Sequence, residues 1–179
     1  MRPSLSQWRE TLQQAIDQTL DCQHCRHQFF YHKEHEIQVC PFCNKQASPD
    51  SFIIFEVLVE IDDDNNAQYH PLNNIRILNQ DANISFSSAP YCTELWNQAD
   101  NLLDIKWGED KLQLLPINNS TFRINNSQKG SDFTTRKTLP LAKITPESAY
   151  YFSMWKPSEI EDDQHLKLIQ SYRWGIRKT

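Results

Sequence analysis

Glycine is nearly absent from this chain of 179 residues: three occur, at positions 108, 130 and 175. Scattered singly, they cannot form a phosphate-binding loop, which needs several glycines in one turn so that backbone N–H groups close on the anion. Other catalytic signatures are missing too. There is no Gly-x-Ser-x-Gly elbow, no His-Glu-x-x-His helix and no kinase His-Arg-Asp triplet, and Asp132-Phe133 is followed by Thr134 rather than glycine. No apolar run approaches the ~18 residues that span a bilayer. The strongest, Phe52 to Ile61, is interrupted by Glu56 and Glu60. The opening MRPSLSQWRE lacks the apolar centre of a secretion signal. Basic residues are in deficit: 18 Lys and Arg against 23 Asp and Glu give a net charge of −5, so nucleic acid and anionic lipid are not generally attracted. The expectation is a non-catalytic, cytoplasmic protein.

Cysteine is scarce and odd in number, five in all, which rules against a disulfide scaffold. The spacing carries the information. Cys22-x-x-Cys25 and Cys40-x-x-Cys43 form two matching pairs, 14 residues apart, while Cys92 stands alone. Each Cys-x-x-Cys turn converges two sulfurs, so the two turns together can offer the four corners of a tetrahedron. Zinc suits such a cage because it accepts soft thiolates and imposes no geometry of its own. Cys22, Cys25, Cys40 and Cys43 are therefore the candidate ligands of a structural Zn2+. A closed shell of four thiolates leaves no position for water or substrate, so the site orders the chain and does no chemistry. Structural zinc can supply on the order of 10 kcal/mol to a module too small for its own core.

Alternatives to this reading are a cage of buried thiols without metal, a redox dithiol, and iron, whose colour would betray an electron carrier. Four thiolates and one dication leave a charge of about −2, which backbone N–H groups must offset together with cations such as Arg26 and Lys45. Asn44, just after Cys43, takes the place where knuckles often use a glycine with positive φ. His24 and His27 flank the first knuckle as possible replacement ligands, and His32 and His35 read as solvated. Cys92 with His70 could be drawn as a nucleophile and base, yet no oxyanion motif accompanies them.

Three zones follow along the chain. Residues 1–21 hold an amphipathic helix over 3–21, with Leu5, Trp8, Leu12, Ala15, Ile16 and Leu20 at helical spacing and a Ser4/Gln7 capping box. This helix is expected to pack on whatever the cysteines organise. Residues 22–47 form a zinc ribbon, its two knuckles joined by a hairpin of Phe29-Phe30-Tyr31 and Ile37-Gln38-Val39. Residues 51–179 are β-rich: strands are expected at 52–61, 74–78, 104–107, 111–117, 121–124, 138–144 and 150–155, with a further half-buried strand pattern between Leu166 and Ile176. Asn pairs at 65–66, 73–74, 118–119 and 125–126 take the turn positions that glycine would otherwise fill. Pro90 to Gln98 is ambiguous between helical turn and loop, and the acidic clusters at 62–64 and 161–163 read as solvated turns. With 39% apolar and 11% aromatic residues, the expected architecture is α+β and mostly β: helix, four-cysteine ribbon, then a β-sandwich or small barrel.

The run RPSLSQWRETLQQAIDQTLDCQHCRHQFF followed by CPFCN resembles the region after the kinase domain in bacterial serine/threonine kinases of the tellurite-resistance type, which act with a phosphatase and a von Willebrand factor A protein. Arg2-Pro3-Ser4, Trp8, Cys22, Cys25 and Cys40-Pro41-Phe42-Cys43 carry the likeness. The resemblance covers about the first quarter of the chain, with looser similarity from Leu112 to Trp155. It implies a regulatory protein-interaction module of a kinase signalling system, with a kinase, phosphatase or von Willebrand factor A protein as partner. With the zinc fixing the junction between helix and sandwich, the sandwich surface is the face expected to recognise that partner. It implies no kinase activity for these residues. Nucleic-acid binding by the ribbon is the alternative. Its support is a net charge of +1 on residues 22–46 and a basic-aromatic stripe of Tyr172, Arg173, Trp174, Arg177 and Lys178.

Overall fold

The computed structural model describes residues 2–63, 66–87, 101–126, 129–145, 150–160 and 172–178. In chain order its elements are α1 (Leu5–Asp17), β1 (Thr19–Asp21), β2 (Gln28–Phe30), β3 (Phe52–Asp63), β4 (Asn66–Asn79), β5 (Asn83–Ser87), β6 (Asn101–Gly108), β7 (Lys111–Pro116), β8 (Thr121–Asn126), β9 (Lys129–Phe133), β10 (Lys137–Pro140), β11 (Tyr150–Trp155) and β12 (Tyr172–Lys178). Three short 3₁₀ turns lie at Pro49–Ser51, Leu141–Lys143 and Pro157–Glu159.

The apolar run Phe52-Ile53-Ile54-Phe55 has a structural cause. Successive side chains of a strand point to opposite faces. In β3, Ile53, Phe55 and Val57 enter one hydrophobic core while Phe52 and Ile54 enter a second. Both faces of the strand are covered, so both parities are apolar.

The first core lies between two antiparallel sheets, one in the order β4-β3-β12-β11-β8-β9 and one in the order β10-β7-β6-β5. The expected sandwich is what forms. Phe55, Phe86 and Phe152 meet edge to face at its centre, with centroids 5.1 to 5.9 Å apart, and Phe86 also meets Trp174 at 4.8 Å. Such perpendicular ring pairs set the positive edge of one ring against the negative face of the next. Trp174 and Ile176 point inward from β12, while Arg173 and Arg177 take the other parity. Gly175 sits on that outer parity, and a Cβ there would come within 2.9 Å of Leu58 Cδ1, so a larger residue would have to displace the end of that side chain.

The second core joins the cysteine region to the outer face of the six-stranded sheet. Leu20, Cys22, Phe29, Tyr31 and Cys40 pack on Phe52, Ile54, Ile75 and Ile77. Polar ties fix the contact: Asn79 accepts from the Asp21 N–H at 3.1 Å and donates to the Thr19 carbonyl at 3.2 Å. Arg177 donates to the Tyr31 hydroxyl at 3.3 Å.

Several expectations need correction here. The helix ends at Asp17 rather than 21, because Thr19, Leu20 and Asp21 pair with Phe30, Phe29 and Gln28 and Leu20 drops into the second core. The expected hairpin between the knuckles is absent. β2 pairs backwards with β1 around the first knuckle, and Val39 bridges Gln46 around the second. The helix does not lay its apolar side on the ribbon either. Its capping box forms as expected, Ser4 Oγ accepting from the Gln7 N–H at 3.3 Å and Gln7 Oε1 from the Ser4 N–H at 2.8 Å. Yet Leu5, Trp8, Leu12 and Ile16 remain exposed, and contact with β4 comes from Asp17, paired with Arg76 at 3.0 Å.

In the β region the expected strands fall within β3, β4, β6, β7, β8, β10, β11 and β12, although β10 ends at Pro140 and 141–143 form a 3₁₀ turn. Asn118 and Asn119 take the left-handed conformation between β7 and β8, whereas Asn73-Asn74 lies inside β4 and Asn125-Asn126 at the end of β8. Pro90 to Gln98, Cys92, the acids at 161–163, and Leu166 and Leu168 lie outside the described residues.

Candidate metal centre

Two knuckles of the same construction face each other. In the first, the Arg26 N–H donates to the Cys22 carbonyl and the Cys22 N–H to the His27 carbonyl, both at 3.0 Å. In the second, Asn44 donates to Cys40 and Cys40 to Lys45, both at 2.9 Å. The residue after each second cysteine must take positive φ to close this turn: Arg26 at 64° and Asn44 at 54°. The expectation for Asn44 was correct, while the same demand at Arg26 was missed. The shared position after each Cys-x-x-Cys was the signal that could have revealed it. Burial repeats as well: Cys22 and Cys40 are buried, Cys25 and Cys43 half-buried.

All four sulfurs lie within 4.8 Å of one another, with Cys22–Cys43 and Cys25–Cys40 each at 3.6 Å. A disulfide needs about 2.05 Å, so these are four free thiols. A tetrahedral ion with metal–sulfur bonds of about 2.3 Å has sulfur–sulfur edges of about 3.8 Å. The cage therefore has the dimensions to hold a metal ion through the four residues expected from spacing. Among the described residues no other cluster of His, Cys, Asp or Glu has such convergence.

The electrostatics point the same way. The Cys25 N–H, then that of His24, draws the Cys22 thiol down to about 6. At Cys25 the His27 N–H favours the thiolate, yet burial and the sulfurs of Cys22, Cys40 and Cys43 prevail and push it up to about 12. Cys43 is likewise raised: the Lys45 N–H is outweighed by burial and by Cys22 and Cys40. Four adjacent sulfurs cannot all carry charge at neutral pH unless a cation sits among them. The N–H groups of His24, Cys25, His27 and Lys45 supply the partial positive charge. The Arg26 and Lys45 side chains, expected to share this role, are exposed.

The histidines stand outside the cage. His27 stacks on Phe42 with centroids 4.6 Å apart, its Nδ1 3.2 Å from the Cys25 carbonyl oxygen. His32 and His35 are exposed, with rings 5.0 Å apart. His70 lies on β4, and Cys92 is beyond the described residues. The basic stripe of β12 is engaged: Arg173 lies 3.7 Å from Glu60, Lys178 lies 2.7 Å from Asp50, and Arg177 meets Tyr31. No described helix is long and apolar enough to cross a membrane.

Compared with protein families, curated proteins and solved structures, the chain matches none.

Proposed function

We propose that this chain is a non-catalytic protein-interaction module whose recognition surface is ordered by a structural zinc ion. Zinc is the metal because the donors are four thiolates in a closed tetrahedron, a set that favours a soft dication with no open coordination position. One observation carries the interaction reading. Among the described residues, the large apolar side chains left exposed are Leu5, Trp8, Leu12, Ile16, Phe30, Ile37, Val39 and Phe42, and all precede β3. Exposed apolar groups concentrated on one part of a chain mark a surface that another molecule covers. The recognising face is accordingly the helix and ribbon, with the sandwich as its support. The resemblance to kinase-associated ribbons supports a bacterial serine/threonine kinase system as the setting.

The test has two arms. Metal analysis of reduced protein should find one zinc per chain, with zinc–sulfur distances of about 2.3 Å by X-ray absorption. Immobilised full chain should retain a kinase, phosphatase or von Willebrand factor A protein, and Phe42→Ser should weaken that capture at unchanged zinc content. Folded protein devoid of metal would overturn the zinc reading. Recovery of nucleic acid alone would overturn the interaction reading.

A further inference from the structure

The two sheets of the sandwich part along one side, where β4 and β5 are the edge strands. Helix α1 lies across that side, and a groove of about 610 Å3 runs between it and β5. That volume falls within the ~300–1,000 Å3 of ligand sites. Arg76 of β4 links the two walls, donating to Asp17 on the helix side at 3.0 Å and to the Ser85 carbonyl on the strand side.

What the groove offers is hydrogen bonding with little charge. Arg76 and Asp17 neutralise each other, which leaves exposed Arg9 as the remaining charge in the lining. Gln14, Asn74, Asn83 and Asn101 also line it, and among the described residues their carboxamides have no hydrogen-bond partner. Each carboxamide presents a donor and an acceptor together. The strand wall does the same with its backbone. Trp107 donates to the Ala82 carbonyl, which sets the phase of the β5–β6 ladder: Ile84 and Phe86 turn their N–H and C=O groups toward β6. Asn83 and Ser85 turn theirs outward, the direction in which Arg76 meets the Ser85 carbonyl. Among the described residues no strand pairs with this outer edge.

A ligand matched to such a lining carries donors and acceptors in alternation along an extended line, at the repeat of a β-strand. A polypeptide main chain does so, and a strand added to a free sheet edge beside a helix is bound chiefly through those groups. An oligosaccharide is the weaker occupant, because among the described residues no aromatic side chain lines the groove to cover the apolar face of a sugar ring.

We propose that this groove binds an extended peptide segment of a partner protein, which pairs with the free edge of β5 and is clasped by Gln14, Asn74, Asn83 and Asn101. The site is separate from the apolar surface of the ribbon and does not depend on it. Screening the zinc-loaded full chain against a library of capped, randomised heptapeptides tests it. The expected result is capture of peptides poor in proline, which lacks the N–H that pairing needs. Their titration should shift the amide resonances of Asn83 and Ser85 and the side-chain resonances of Gln14 and Asn74. N-methylation of a captured peptide at alternate residues should weaken binding roughly tenfold in the phase that faces β5 and be tolerated in the other. Gln14→Ala or Asn101→Ala, both at exposed positions, should weaken binding several-fold with circular dichroism and zinc content unchanged. A screen that captures no peptide, or an equal response to N-methylation in both phases, would overturn the proposal. So would binding of maltohexaose with shifts at Asn83 where peptides cause none. Shifts confined to Phe30, Phe42 and their neighbours would overturn the groove site and leave the interaction module standing on its apolar surface.

Discussion

The residues before β3 and the sandwich after it solve the same problem by different means. The sandwich encloses Phe55, Phe86, Phe122, Phe152 and many aliphatic side chains between two sheets, and its described surface shows no large exposed apolar group. The helix and ribbon have no comparable interior. Their apolar residues either rest on the outer face of β3 and β4 or remain in solvent. A region that a metal ion in its four-cysteine cage would stabilise, together with a borrowed wall, need not hide its own hydrophobic side chains. Those side chains are where the proposed partner would bind, which is why the contrast bears on function.

The largest test of this contrast is removal of the metal. A chelator under reducing conditions should melt the ribbon alone: amides of β1, β2 and residues 38–47 should lose exchange protection, while those of β6 and β7 keep theirs. Cys40→Ser, at a fully buried ligand position, should do the same without chelator. Unchanged exchange in the ribbon would erase the distinction between the two regions.

Adjacent residues of β3 sharpen it. Ile53 faces the sandwich interior and Ile54 the ribbon, both fully buried. Truncation to alanine at either position should cost about 2–5 kcal/mol in the metal-bound protein, from lost burial and the cavity left behind. After chelation the cost of Ile53→Ala should persist and that of Ile54→Ala should shrink, because its packing partners have gone. Urea unfolding of both variants, with and without metal, measures this. Equal costs in both states would show that the two cores are not separable.

A smaller effect is expected where α1 meets β4. Arg76 donates to Asp17 and to the Ser85 carbonyl and lies 5.1 Å over the Phe86 ring. Asp17→Ala removes the carboxylate from a mostly buried guanidinium and should cost about 1–3 kcal/mol. The loss should appear first as fraying of α1 in exchange experiments. A helix that keeps its protection would show that its order does not depend on this pair.

What was legible in the sequence follows from where each element sits. The cysteine cage was readable because a knuckle is local: two residues between ligands, then one left-handed residue. β3 and β12 were readable because central strands carry apolar patterns. Of the strands missed in whole or part, β4 before Asn74, β5 and β9 lie at sheet edges, whereas β6 before Asp104 lies inside the four-stranded sheet and β1 was read as the end of the helix. Edge strands tolerate polar residues and proline because one side of the backbone has no neighbour. Asn73-Asn74 thus signalled a turn in a stretch that is strand, where residues 72–74 of β4 form a bulge opposite Val57 of β3. β9, Lys129–Phe133, offers almost no apolar alternation. The inverted helix was illegible for another reason: periodicity finds an apolar face but cannot say whether the protein's own core covers it.

The finest test lies at the two knuckle residues with positive φ. A side chain with a Cβ in the left-handed region costs roughly 1–2 kcal/mol, and Asn less than most because it bonds locally. Arg26→Gly should therefore stabilise the ribbon by about 1 kcal/mol, and Asn44→Gly by a few tenths, once glycine's greater freedom in the unfolded chain is offset. The gain should appear as tighter metal retention against a competing chelator, while the unfolding of the sandwich stays unchanged. The ranking matters more than the size. If Arg26→Gly weakened retention instead, its side chain would be contributing to the cage through its charge after all, outweighing the relief of its backbone. Arg26→Lys would then separate the two effects, since it keeps the charge and the left-handed strain together and should leave retention near that of the natural chain.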